Sequence, residues 1–111
     1  MLEQNNTLVA LCATGDVEPD MPLRVDVEGE SYAVFNIDGA YHVTQDLCTH
    51  GPGSLADGFI MGDEIECPIH QGRFHIPSGR PTFAPCTEAL KVWPVQVIDG
   101  MLYIDLAQPA D

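Results

Sequence analysis

Four side chains fall into two short mixed pairs: Cys48-x-His50, then sixteen residues, then Cys67-x-x-His70. The chain holds four cysteines and four histidines, so half of each type is gathered here. Each pair is short enough for both side chains to reach one bound group from a single turn. The turns are rich in glycine and proline (Gly51, Pro52 and Gly53; Pro68 and Gly72). Such turns let backbone amides face inward, where an inorganic sulfide would accept their hydrogen bonds. Three occupants compete. A structural zinc accepts two thiolates and two imidazoles in a tetrahedron, but zinc modules usually pair like ligands, as C-x₂₋₄-C followed by H-x₃₋₅-H. No metal at all is the better reading for any single Cys or His, and a poor one for four in this arrangement. The third is a two-iron, two-sulfide cluster in which two histidines replace two cysteines on one iron. Mixed pairs suit it: one iron takes both thiolates, the other both imidazoles, and each loop gives one ligand to each iron. Ligand softness agrees, since thiolate favours iron–sulfur clusters and imidazole suits iron.

The elements that position these pairs read as strands. TLVALC opens the chain's first apolar run. LRVDVEG (23–29) alternates apolar and polar residues, SYAVFNI (31–37) follows, and Asp38-Gly39 separates it from YHVTQ (41–45). Asp-Gly between alternating runs is a hairpin signal. Near the C-terminus, VWPVQVI (92–98), Asp99-Gly100 and MLYIDL (101–106) read as a second hairpin. Between the hairpins, FIM (59–61) and EIEC (64–67) flank a Gly62-Asp63 turn, and RFHI (73–76) runs into a Pro-Ser-Gly turn. No stretch carries a helical stripe, and nine prolines and ten glycines punctuate the segments. The expectation is an all-β antiparallel sandwich or barrel, one domain over residues 1–111, with an inserted sub-region at about 46–86.

Seventeen acids against four bases give a net charge of −13. That field repels nucleic acid and anionic membranes and can steer the chain toward a basic partner. No apolar run is long enough to span a bilayer, and MLEQNNTLVALC has no basic segment of the kind that opens a secretory signal. A cytoplasmic protein is expected, where spaced cysteines bind metal more often than they form disulfides.

CTHG…CPIHQGRF resembles the signature of Rieske proteins, and the whole chain resembles the small Rieske ferredoxins of bacterial aromatic-ring-hydroxylating dioxygenase systems. The likeness extends to the opening hairpin, Asp57-Gly58, the IECPIHQGRF run, the Ser-Gly turn and the closing VWPVQVIDG. It implies two antiparallel sheets plus a cluster-binding sub-domain of two loops, with one [2Fe-2S] cluster held by Cys48, His50, Cys67 and His70. A proline loop around Ala84-Pro85 would cover the cluster. The chain would be an electron carrier and not an enzyme. It would take single electrons from an NAD(P)H-dependent flavin reductase and pass them to a terminal Rieske non-haem iron oxygenase, docking transiently as a monomer. The small Rieske-like subunit of an assimilatory nitrite reductase is the alternative with the same cluster; a zinc-stabilised interaction module is the alternative without it.

The same resemblance bears on potential. High-potential relatives carry an extra cysteine in each loop and a Ser and a Tyr after the second histidine. Here Gly53 and Ile69 stand in the cysteine positions, and Gly72 and Phe74 in the hydroxyl ones. A potential near the low end of the Rieske range, roughly −150 mV, is expected. It should fall once pH passes the point where the oxidised-state histidines lose protons. Other residues read as structural. Cys12 is a small buried hydrophobe, Cys86 lies near the cluster without ligating it, and a Cys12–Cys86 disulfide is not expected. His42 is a strand histidine, His75 cannot easily replace His70, and Trp93 packs the core at a strand edge. Asp57, Asp63, Glu64 and Glu66 lie nearest the site, as a docking field or as solvated turn charges.

Overall fold

Alternating apolar residues closed by two-residue turns determine most of this architecture. The computed structural model describes residues 8–19, 21–49, 53–68, 72–84 and 88–106. Among these residues eleven strands are formed: β1 (Leu8–Ala13), β2 (Leu23–Val27), β3 (Glu30–Ile37), β4 (Ala40–Gln45), β5 (Phe59–Met61), β6 (Glu64–Glu66), β7 (Arg73–His75), β8 (Pro81–Phe83), β9 (Val92–Trp93), β10 (Val95–Ile98) and β11 (Met101–Asp105). Two short 3-10 turns, Thr14–Asp16 and Leu55–Asp57, are the helical segments among the described residues. No helix there is long and apolar enough to cross a membrane.

The strands make three antiparallel sheets, ordered β1-β11-β10, β2-β3-β4-β9 and β5-β6-β7-β8. The expected all-β architecture is therefore present: two sheets form a base, and the third carries the inserted sub-region. Three hairpins close through two residues that both have positive φ: Glu28-Gly29, Asp38-Gly39 and Asp99-Gly100. That is the geometry whose twist matches the flanking strands, and it explains why Asp-Gly marks two of them.

Two features depart from the sequence reading. VWPVQVI is not one strand. Pro94 divides it, so that β9 pairs with β4 and β10 with β11. Proline has no N–H to give to a ladder, and the chain crosses from one sheet to the next at that residue. The short strand β8, which pairs with β7, has no alternation to announce it and begins with a proline.

Two cores result. One joins the base sheets: Val17, Tyr32, Val34, Val43, Leu102 and Ile104. The other joins the second sheet to the cluster-side sheet: Ala33, Phe35, Cys48, Leu55, Ile65, Cys67, Phe74, Ile76 and Leu90. Strand β3 serves both, because Val34 points to one core and its neighbours Ala33 and Phe35 to the other.

Candidate metal centre

Both cysteines of the mixed pairs are buried in the second core, Cys48 at 3% exposure and Cys67 at 0%. They arrive there by matching routes. Cys48 follows β4 and opens a loop that its own amide closes, donating to the Gly53 carbonyl at 2.9 Å. Cys67 follows β6 and opens a second loop, with its amide donating to the Gly72 carbonyl at 2.8 Å. Each loop thus spans from cysteine to the glycine five residues on, with the same closing bond. His50 lies inside the first and His70 inside the second; both lie outside the described residues, as do Gly51, Pro52, Ile69 and Gln71.

The two loops are held from different sides. A bridge between Leu47 and Ser54 narrows the first loop at its neck. Gln45 supports it from below: its side-chain amide donates to the Leu47 carbonyl at 2.7 Å and accepts from the Lys91 amide at 2.8 Å. Thr49 Oγ1 donates to the Glu88 carbonyl at 2.8 Å, joining the first loop to the far side of the segment that holds Pro85 and Cys86. Those two residues lie outside the described residues. The second loop stands on the sheet, where Ile60, Ile65 and Phe74 align across β5, β6 and β7. On the outer face, Glu66, Arg73 and Phe83 align beneath the same loop. Arg73 Nε lies 3.5 Å from Glu66 Oε1, and its guanidinium sits 5.0 Å from the centre of the Phe83 ring.

Among the described residues outside the mixed pairs, His75, His42, Trp93 and the half-buried Cys12 are parts of the scaffold, whereas Cys86 lies outside the described residues. Both ring nitrogens of His75 have protein partners, Nδ1 at 2.7 Å from Ser78 Oγ and Nε2 at 3.2 Å from Asp63 Oδ2. His75 therefore ties the β5–β6 turn to the turn after β7. His42 sits on β4, and burial, then the nearby His75, holds its pKa below the usual imidazole value. Trp93 meets Tyr32 edge-on at 5.1 Å. Cys12 packs against the base core, where burial, then Asp16, pushes its thiol pKa up.

Sequence reasoning missed the residues that hold the first loop in place, above all Asp46. It lies two positions before Cys48, is 3% exposed, and accepts bonds from the loop's far side. The one signal available was an acid within an otherwise strand-like approach to the first cysteine.

The donor set can be tested against these positions. A two-iron cluster needs its thiolates inside, close together and screened from water. Cys48 and Cys67 are buried in one core, at the mouths of two similarly closed loops, and each loop carries one histidine onward. The residues present fit such a group. Antiparallel sheets bearing two thiolate-and-imidazole loops define the class of small iron–sulfur carriers.

Comparison with known proteins agrees. The Rieske [2Fe-2S] domain family matches residues 7–94, and the chain belongs to that family. The ferredoxin component of a naphthalene 1,2-dioxygenase system from Pseudomonas aeruginosa is 45% identical over 85 residues, covering 77% of this chain and 82% of the relative. The structure of a Sphingomonas yanoikuyae B1 ferredoxin superposes with a TM-score of 0.86 at 41% identity, covering 87% of this chain and 96% of that one. A ferredoxin solved in complex with the oxygenase of a carbazole 1,9a-dioxygenase gives 0.85 at 38% identity, covering 91% and 94%. The chain carries one Rieske-type [2Fe-2S] cluster and is an electron carrier, not itself an enzyme.

Proposed function

We propose that Cys48 and Cys67 bind the inner iron of the cluster and that His50 and His70 bind the outer one. The observation that carries this is the pair of buried thiols in a single core, each at the mouth of a loop closed by the same amide–carbonyl bond. The cluster supplies a one-electron couple. Around it, the chain's own residues exclude water from the thiolates (Leu55, Ile65, Phe74 and Leu90) and hold the two loops in register.

The client is a terminal oxygenase that hydroxylates aromatic rings, and the electron donor is an NAD(P)H-dependent flavin reductase. Support comes from the relatives, which are ferredoxin components of such systems, and from a related ferredoxin solved on its oxygenase. A net charge of −13 suits brief encounters with basic surfaces, in which electrostatics sets the on-rate more than the affinity. The chain acts as a single unit, a monomer in the cytoplasm. The test is reconstitution with a flavin reductase and a terminal oxygenase of an aromatic-ring-hydroxylating system. Aromatic product should form from NADH or NADPH only when this chain is added. Failure with the oxygenase, together with stable co-purification and activity with a nitrite reductase, would replace this client with the other.

A further inference from the structure

The neck of the first loop is gripped by a single acid. Ser54, Leu55 and Ala56 each donate one hydrogen bond to Asp46. Ser54 Oγ reaches Oδ2 at 2.6 Å, the Leu55 amide reaches the backbone carbonyl at 2.7 Å, and the Ala56 amide reaches Oδ1 at 2.9 Å. The Asp46 amide in turn donates to the Ser31 carbonyl on β3 at 3.2 Å, so the grip is anchored to the base sheet. Immediately inside it stands the Cys48–Gly53 bond, and Leu55 is fully buried in the same core as Cys48.

Burying a carboxylate is costly unless its oxygens are satisfied, and apolar residues in its place commonly give equal stability. What an acid adds here is geometry and charge. Both carboxylate oxygens are used, one on each of two loop residues. The nearest cation, Arg24, has its Nε 3.9 Å from Oδ2 and is also engaged by Asp26 at 3.1 Å, so it compensates Asp46 in part. At the matching place before the second loop, two positions before Cys67, stands the buried Ile65. The acid is thus placed on one loop of two otherwise matching ones.

We propose that Asp46, oriented by Ser54, is a positioning residue that fixes the Cys48 loop and lowers the reduction potential of the centre by placing negative charge at its Cys48 side. This rests on the ligand reading given above. A fixed negative charge disfavours adding an electron, and a clamped neck restricts the bond directions open to the Cys48 sulfur.

Two variants of the full-length holoprotein separate charge from geometry. In Asp46→Asn, the amide can still accept from Ala56 and meet Ser54, but the charge is gone. In Ser54→Ala the charge stays and one orienting bond is lost. The readouts are the midpoint potential, the g-values of the reduced centre and the melting temperature. The potential should rise in Asp46→Asn. In Ser54→Ala the g-values should shift, with a smaller change in potential, and Ser54→Thr should restore them. Wild-type potential and g-values in Ser54→Ala would overturn the proposal whatever Asp46→Asn does, and a fall in melting temperature alone would mark a merely structural role. Wild-type protein lacking a Rieske signal would instead overturn the ligand reading, and this proposal with it.

Discussion

Removing a single sulfur separates ligand from scaffold. Cys48 and Cys67 are both buried, yet Cys12, which also packs against a core, lies in the other one. Cys48→Ser and Cys67→Ser should each abolish bound iron and visible absorbance, whereas Cys12→Ser should retain both; metal analysis beside the absorption spectrum checks this. Leu55 is wholly buried in the core that holds Cys48, so Leu55→Ala should cost about 2–5 kcal/mol in denaturant unfolding, with faster cluster loss. His42 gives a pH signature. Its folded-state pKa lies below the unfolded value, so the unfolded chain binds more protons as pH falls. Stability should therefore be fully present above the ordinary imidazole range and decline as pH falls from there toward the depressed folded value. Melting temperatures between pH 7 and 5 should drop less for His42→Gln than for the wild type. An equal drop in both would remove His42 as the cause.

At the scale of elements, legibility followed locality. The Asp-Gly hairpins could be read because the two turn residues carry the signal themselves, each with positive φ. The mixed Cys-His pairs stood out because their spacing places each on one turn. Pro94 was visible as a residue, but its effect depends on which sheet each side of it joins, a tertiary fact. β8 was missed because three residues beginning with proline show no period. Asp46, Arg24 and Ser54 were missed because they lie just after β4, on β2 and at the end of the first loop, and become a unit only when folded. Two glycines expose the same distinction. A Cβ at Gly29 would meet open space, with strain arising only from its φ of +85°, whereas one at Gly58 would strike the Glu66 carbonyl oxygen just before Cys67. Gly29→Ala should cost on the order of 1 kcal/mol and leave the iron content unchanged. Gly58→Ala should destabilise the chain more and also weaken cluster retention. Equal iron retention in the two variants would argue that the Gly58–Glu66 contact does not support the second loop.

For the whole molecule, the division into two cores gives the function its frame. The base core, closed by β1, β10 and β11, is separate from the second core, which holds the two thiols. The chain's net charge is −13, and encounter rates with electron-transfer partners should fall as salt is raised. The most direct test of the account is made on anaerobically purified protein, combining iron, zinc and acid-labile sulfide analysis with the EPR spectrum after reduction. The expected result is about two irons and about two sulfides per chain, with an average g well below 2, the signature of mixed histidine and cysteine ligation. Zinc without sulfide, or a reduced-state spectrum of an all-cysteine cluster, would contradict it.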